Sequence, residues 1–289
     1  MNPEVHHVSI LTEDIDESIR FYRDNLGMRL ISRFRQEDGM ETAFLGDGLA
    51  STEYQLELAG PPFHGWMAEI LEKHGPSLDH HALLVEDLKD WVPKLKSEGI
   101  DILESPRAFL PARHMVFKDP SGTVVELVEG ASRPPQPEAT EQRASPMVID
   151  YLINHSSILC NDLDELESFY NRVFGMRTVY DHRDLGYILV VDPVLEADSS
   201  REAPTLEIMG PEAEYEREQA FLAEHGPGLD HLCFVVEDVD AAYRDLLARG
   251  VKFPYPPEDS EFNRLAFFKD PNGVDVELML SIPRSRMGL

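Results

Sequence analysis

At 289 residues the chain is long enough for two domains of the usual ~100–200 residues each. Its 54 acidic residues against 26 basic ones give a formal net charge of −28, which excludes nucleic acid and anionic membranes as partners. Seven of the basic residues are Lys and 19 are Arg, an acid-rich, Lys-poor balance that suits a halophilic source; unfolding on dilution into low salt would support that expectation and full stability in dilute buffer would sink it.

His7–Leu11 reads as a short strand. Asp14–Leu26 predicts a helix, because Ile15, Ile19 and Tyr22 share a face and Gly27 ends it. Strands follow at Arg29–Arg33, Thr42–Leu45 and Tyr54–Leu58, then a short helix at Gly65–His74. A second pass starts with a strand at His80–Val85 and a helix at Asp87–Glu98, stopped by Gly99. It closes with strands near Ile102, at Met115–Lys118 and at Val124–Val128. The unit is a β-α-β-β-β module used twice. Residues 131–147 are Pro-rich and polar, which reads as a linker between domain one (1–130) and domain two (148–283). Each domain is large enough for its own core. Cys160 and Cys233 sit in apolar strand-like runs and predict buried thiols in a reducing compartment. The opening MNPEVHH lacks a basic-then-apolar leader and no apolar run approaches ~18 residues, so a soluble cytoplasmic protein is expected.

The second half repeats the first. HHVSILTEDIDESIRFYRDNLGM, from His6, returns as NHSSILCNDLDELESFYNRVFGM, from Asn154. HGPSLDHHALLVEDL, from His74, returns as HGPGLDHLCFVVEDV, from His225, and FKDPSGTVVEL, from Phe117, as FKDPNGVDVEL, from Phe268. One module therefore serves four times. Strand alternation puts His7, Glu57, His80 and Glu126 on the face away from the helices, and His155, Glu207, His231 and Glu277 at matching places in the second half. Burying carboxylates costs several kcal/mol each unless they are paired. Two imidazoles and two carboxylates converging on one point are explained by a divalent cation, of a kind (Fe, Mn, Ni, Co or Zn) that mixed nitrogen and oxygen donors suit. The second copy acts as an internal control. It keeps these four positions and replaces His6 and His81 by Asn154 and Leu232, both expected to face the other way. His74 and His225, in the HGP turn, read as helix-end or loop-bonding residues, and His64, His114 and His182 as surface residues.

With His, Glu, His and Glu on the first, fourth, fifth and eighth strands of each unit, the chain resembles the vicinal oxygen chelate superfamily. That group includes glyoxalase I, methylmalonyl-CoA epimerase, fosfomycin and bleomycin resistance proteins and extradiol dioxygenases. The carrying motifs are the His-bearing opening strand, FY…LGM, LEL or LEI, G-x-x-LDH and DP-x-G-x-x-x-EL, and they span both halves. The resemblance implies an α+β fold of tandem glyoxalase-like domains, with curved, cup-shaped mixed sheets and helices outside. It implies a metal-dependent lyase or isomerase that moves a proton on a small oxygenated substrate through an enediolate. Glu37 in QEDGMETAFL and Asp184 in RDLGYILVV match the place of the epimerase's catalytic Glu, just before a glycine. Glu57 and Glu207 take the fourth-ligand position of glyoxalase- and epimerase-type members. An extradiol dioxygenase would need only His155, His231 and Glu277, or His7, His80 and Glu126. Its signature tyrosine is replaced by Val116 and Phe267. That dioxygenase is the first alternative, and a ligand-sequestering resistance protein without turnover the second. Ala59-Gly60-Pro61-Pro62 follows Glu57 where glyoxalase I has an Asn, which argues against glutathione as substrate. Two pairings remain open: modules one with two and three with four, or module one with four, joining His7 to His231 and Glu277. Homo-oligomerisation is also open.

Overall fold

The computed structural model describes residues 4–46, 54–109, 112–130, 151–191, 205–213, 216–260 and 263–280. The expected linker at 131–147 lies outside them. The first half supplies strands β1 (Glu4–Leu11), β2 (Arg29–Arg35), β3 (Glu41–Gly46), β4 (Gln55–Gly60), β5 (Leu78–Val85), β6 (Ile102–Phe109), β7 (Ala112–Lys118) and β8 (Val124–Glu129). The second half supplies β9 (Leu152–Leu159), β10 (Arg177–His182), β11 (Tyr187–Val191), β12 (Thr205–Met209), β13 (Gly228–Val236), β14 (Glu258–Asp259), β15 (Arg264–Lys269) and β16 (Asp275–Leu280). They form two eight-stranded mixed sheets, ordered β2-β3-β4-β1-β5-β8-β7-β6 and β10-β11-β12-β9-β13-β16-β15-β14. Modules one and two therefore share a sheet, as do three and four, and His7 does not join His231 and Glu277. The architecture is α+β, with tandem curled sheets as the resemblance implies.

The central pairs are β1 with β5 and β9 with β13, both antiparallel, and each of these strands also pairs in parallel with a β4- or β8-type strand. All four ligand-bearing strands thus lie side by side in the middle of each sheet. Helix α1 (Ile15–Leu26) is capped by Asp14, whose side chain accepts from the Glu17 N–H, and stops at Gly27 in the left-handed region. Helix α4 (Leu163–Phe174) repeats this with Asp162, Glu165 and Gly175. Helices α2 (Gly65–His74), α3 (Trp91–Ser97), α5 (Glu216–His225) and α6 (Val239–Ala248) complete the modules.

The apolar core differs from the expectation of one core per domain, because it runs continuously through both halves. Phe174 of α4 stacks on Trp91 and Phe117 of the first half, and Phe21 of α1 meets Phe268 of the second. Two buried tyrosines pin the exchange: Tyr170 donates to Asp119 Oδ2 and Tyr22 to Asp270 Oδ2, each at 2.9 Å. Each first helix thus bonds the DP turn of the other half, and that turn leads into the strand bearing the final Glu. Cys160 and Cys233 are both buried, and neither forms a disulfide among the described residues. Among the described residues no helix is long and apolar enough to cross a membrane.

Candidate metal centres

The eight expected residues gather into two quartets, both buried. In the first, His7 Nε2 lies 3.2 Å from His80 Nε2, 3.2 Å from Glu57 Oε2 and 3.2 Å from Glu126 Oε2. His80 Nε2 lies 3.2 Å from Glu57 Oε2 and 3.5 Å from Glu126 Oε2. The second is slightly wider. His155 Nε2 is 3.3 Å from His231 Nε2, 3.8 Å from Glu207 and 3.4 Å from Glu277, and His231 Nε2 is 3.6 and 3.4 Å from the same carboxylates. Neighbouring ligands around a cation with bonds of ~2.0–2.2 Å sit roughly 3.0–3.5 Å apart; the first quartet meets that spacing throughout, and the second meets it except at Glu207, 3.6 and 3.8 Å from the histidines. Glu57 and Glu207 both point into their quartets.

Tautomers sharpen the fit. His80 Nδ1 faces Asp79 Oδ2 and His231 Nδ1 faces Asp230 Oδ2, each at 2.7 Å. His155 Nδ1 faces Asn154 Oδ1 at 2.9 Å and His7 Nδ1 faces His6 Nδ1 at 2.7 Å. A carboxylate or amide oxygen only accepts, so those Nδ1 atoms carry the proton and Nε2 is left with a lone pair aimed inward, the usual arrangement of a ligating histidine. Four converging lone pairs repel unless protons or a cation lie among them. Without a cation, burial alone would lower the His7 and His80 pKa values, but Glu57 and Glu126 raise the first and Asp79 chiefly raises the second. Burial would likewise lower His231, yet Asp230 and Glu277 raise it to about 10. Glu57 is raised by burial and more than compensated by His7, ending at about 2.

Strand alternation misplaced the residues that orient these ligands. His6 was expected to face away from the quartet, but β1 shifts register between Val5 and His7, so His6 is the extra residue of a β-bulge and turns to its neighbour. Asn154 is the extra residue at the matching place in β9. A second register shift in β5, between Ser9 and Ile10 of its partner, falls at Asp79, and β13 shifts across Asp230 and His231. Each bulge brings an orienting group beside a ligand. His81 does face the other way, and its Nε2 meets the Tyr170 hydroxyl at 3.1 Å. The reading of His114 as a surface residue is wrong. It is buried on β7 between Glu126 Oε1, 2.5 Å from Nδ1, and Glu104 Oε2, 3.3 Å from Nε2. Burial would lower its pKa, and the two carboxylates raise it to about 9. His74 and His225 close helices α2 and α5, the helix-end place, with their rings 5.7 Å apart across the two halves.

Glu37 and Asp184 are not brought to the quartets. Each lies exposed in the hairpin turn that joins the second and third strands of its half, β2 to β3 and β10 to β11. A plain turn residue before a glycine satisfies that geometry, so the catalytic assignment from the epimerase pattern is withdrawn.

The walls of the two centres differ. Phe44 and Trp66 stand edge-on to His7 and His80. In the second half the place of Trp66 is taken by Arg217, whose guanidinium binds Asp230 at 2.6 Å and lies 4.4 Å over Phe267, which in turn stands edge-on to His231. The second centre is the more open: the Glu207 side chain is 12% exposed and that of Glu57 3%.

A model of the glyoxalase/bleomycin resistance protein/dioxygenase superfamily matches residues 4–127 and again 152–278. A lactoylglutathione lyase from Pseudomonas putida is 32% identical over 165 residues, 51% of this chain and 94% of that protein. Among solved structures, the Mn(II)-bound glyoxalase from Novosphingobium aromaticivorans superposes with a TM-score of 0.63 at 14% identity, covering 96% of this chain and 82% of that one. The 2,3-dioxygenase LapB from Pseudomonas sp. KL28 does so with a TM-score of 0.62 at 18% identity, covering 96% and 92%. With the repeat, the paired sheets and both matched halves in agreement, the chain belongs to the glyoxalase/bleomycin resistance protein/dioxygenase superfamily.

Proposed function

We propose that this chain is a divalent-metal-dependent enzyme of glyoxalase type, which moves a proton at a carbon next to a carbonyl in a small oxygenated substrate. The observation that carries the reading is the inward direction of Glu57, which joins His7, His80 and Glu126 in one four-donor set, and of Glu207, which faces both His155 and His231 in the second half. Four donors leave two places in an octahedral shell, enough for vicinal oxygens of one substrate and too few for a catecholate together with O2. Val116 and Phe267 point the same way, since an apolar side chain there supplies no acid or base for ring cleavage.

When bound, a divalent cation supplies Lewis-acid stabilisation of negative charge on the substrate oxygens. Asp79, Asp230 and Asn154 hold the imidazoles so that Nε2 faces the centre. Phe267 and Phe44 keep water from the histidines. With Glu37 and Asp184 on the surface, the base must come from the quartets. Glu207 Oε2 is buried without a hydrogen-bond partner and is the carboxylate oxygen most loosely approached by the histidines. We assign the proton to the Glu207 carboxylate, whose two oxygens allow one to serve as donor to an ion and the other as base.

The test is solvent deuterium exchange into 2-oxo and thioester substrates by protein loaded with Mn(II), Ni(II) or Zn(II). Exchange is expected, and it is lost in Glu207→Gln but kept in Glu37→Gln and Asp184→Asn. Fe(II)-dependent oxygen uptake on catechols without exchange would overturn the reading in favour of ring cleavage. Ligand protection with no turnover of any kind would make the chain a binding protein.

A further inference from the structure

The two centres share four ligand positions, yet among the described residues only the first has a further histidine on the outer oxygen of its final glutamate. His114 Nδ1 meets Glu126 Oε1, while Oε2 of the same carboxylate faces His7 and His80. Behind it, His114 Nε2 rests on Glu104, which Arg107 grips from the surface. This chain of contacts fixes both oxygens of Glu126, one outward and one inward. In the second half the strand reads Arg264-Leu265-Ala266-Phe267 where the first reads Arg113-His114-Met115-Val116. Leu265 pairs with Met279 as His114 pairs with Val128, so the two occupy the same place beside the final strand. Leucine has no proton to donate, so Glu277 has no histidine behind it as Glu126 has.

We propose that His114 is a positioning residue that commits Glu126 to single-oxygen coordination, and that the two centres are therefore non-equivalent: a tight, closed one in the first half and a weaker, exchangeable one in the second. The inference rests on the reading of the quartets as metal centres. A carboxylate already turned and desolvated by a buried histidine loses little freedom when it takes an ion, and one that lacks that histidine has more to lose at the moment of binding. The difference in exposure between Glu57 and Glu207 runs the same way. The closed centre then serves to hold its ion, and the open one to exchange ligands.

The experiment is a titration of the full metal-free chain with Mn(II), followed by calorimetry, and with Co(II), followed by visible absorption. Wild type should show two classes of site in equal number. His231→Ala should remove the weak class. His114→Leu, which copies the second half, should weaken the tight class by roughly 10–100-fold and alter its Co(II) spectrum, because removing an outer partner of a ligand typically has that effect. His114→Gln keeps a donor and should restore both to near wild type. If His114→Leu does not fold, His114→Met against His114→Gln carries the same comparison at similar side-chain length. Two equal classes in wild type, or folded His114→Leu and His114→Met with the tight class unchanged in affinity and spectrum, overturns the proposal. A wild-type chain that binds neither ion instead overturns the metal-centre reading on which it rests.

Discussion

Removing one hydroxyl from each of the two exchanged helices should have unequal effects. Asp119 Oδ1 collects bonds from the Ser121 N–H and hydroxyl and from the Thr123 N–H, but its Oδ2 has the Tyr170 hydroxyl. The same hydroxyl meets His81 Nε2. Burial, with His80 and His7 nearby, holds His81 down to about 3, so it is neutral and donates to the tyrosine oxygen. Tyr170→Phe therefore strips a partner from two buried groups at once. A bond to a charged group contributes ~1.5–3 kcal/mol, and an orphaned buried donor costs ~1–3 kcal/mol, so a loss of about 3–4 kcal/mol is expected. Tyr22→Phe is milder, because Asp270 Oδ2 keeps the Asn272 amide at 3.0 Å and the place of His81 holds Leu232. About 1–2 kcal/mol is expected there. Urea unfolding at pH 7.5, followed by far-UV circular dichroism and tryptophan fluorescence, measures both. Equal losses, or a larger loss for Tyr22→Phe, would refute the claim that Tyr170 serves two buried partners.

Three further outcomes follow from the same geometry. Burial pushes Asp119 up to about 6 against the bonds from Ser121 and Tyr170. An acid with a raised folded pKa binds its proton more tightly when folded, so its contribution to stability is full below 3.8 and is lost as pH rises through about 6; Asp119→Asn should flatten the pH dependence of urea midpoints in that window, and an unchanged slope would contradict it. Gly186 has φ +87 and a Cβ there would fall 2.4 Å from the Ala213 nitrogen, whereas a Cβ on Gly39 meets nothing closer than 3.8 Å. Gly186→Ala should therefore lower the thermal midpoint more than Gly39→Ala by an amount worth at least ~1–2 kcal/mol, and equal midpoints would refute this. Metal uptake should strengthen as pH rises, because protons that Glu57, Glu126 and Glu277 hold on His7, His80 and His231 must leave before Nε2 can ligate; calorimetric affinity that is flat between pH 5.5 and 8 would be inconsistent with those shifts.

The internal repeat made the quartets legible, because two copies of one strand pattern mark the positions that both retain. Period-two alternation then put His7, Glu57, His80 and Glu126 on one face, and the sheets bring them together. Alternation failed where the chain breaks its own period. His6, Asn154, Asp79 and Asp230 sit at register shifts, which nothing in a period-two pattern marks. The repeated LDH of Asp79-His80 and Asp230-His231 was a usable signal all the same, since an acceptor beside a ligand in both copies suits an orienting group. His114 left no such trace. Its counterpart is Leu265, so the comparison that picked out the ligands discarded the residue that holds one of them. The shared core was also hidden, because apolar periodicity says which face of α1 or α4 is buried and not which sheet buries it.

The most direct test of the two-centre account is the number of divalent ions that the full chain binds, counted by elemental analysis after loading and exhaustive dialysis. The quartets predict two ions per wild-type chain, one in His80→Ala, one in His231→Ala and none in the double variant. A count that the double variant leaves unchanged, or a wild-type chain that retains no ion, would contradict the account.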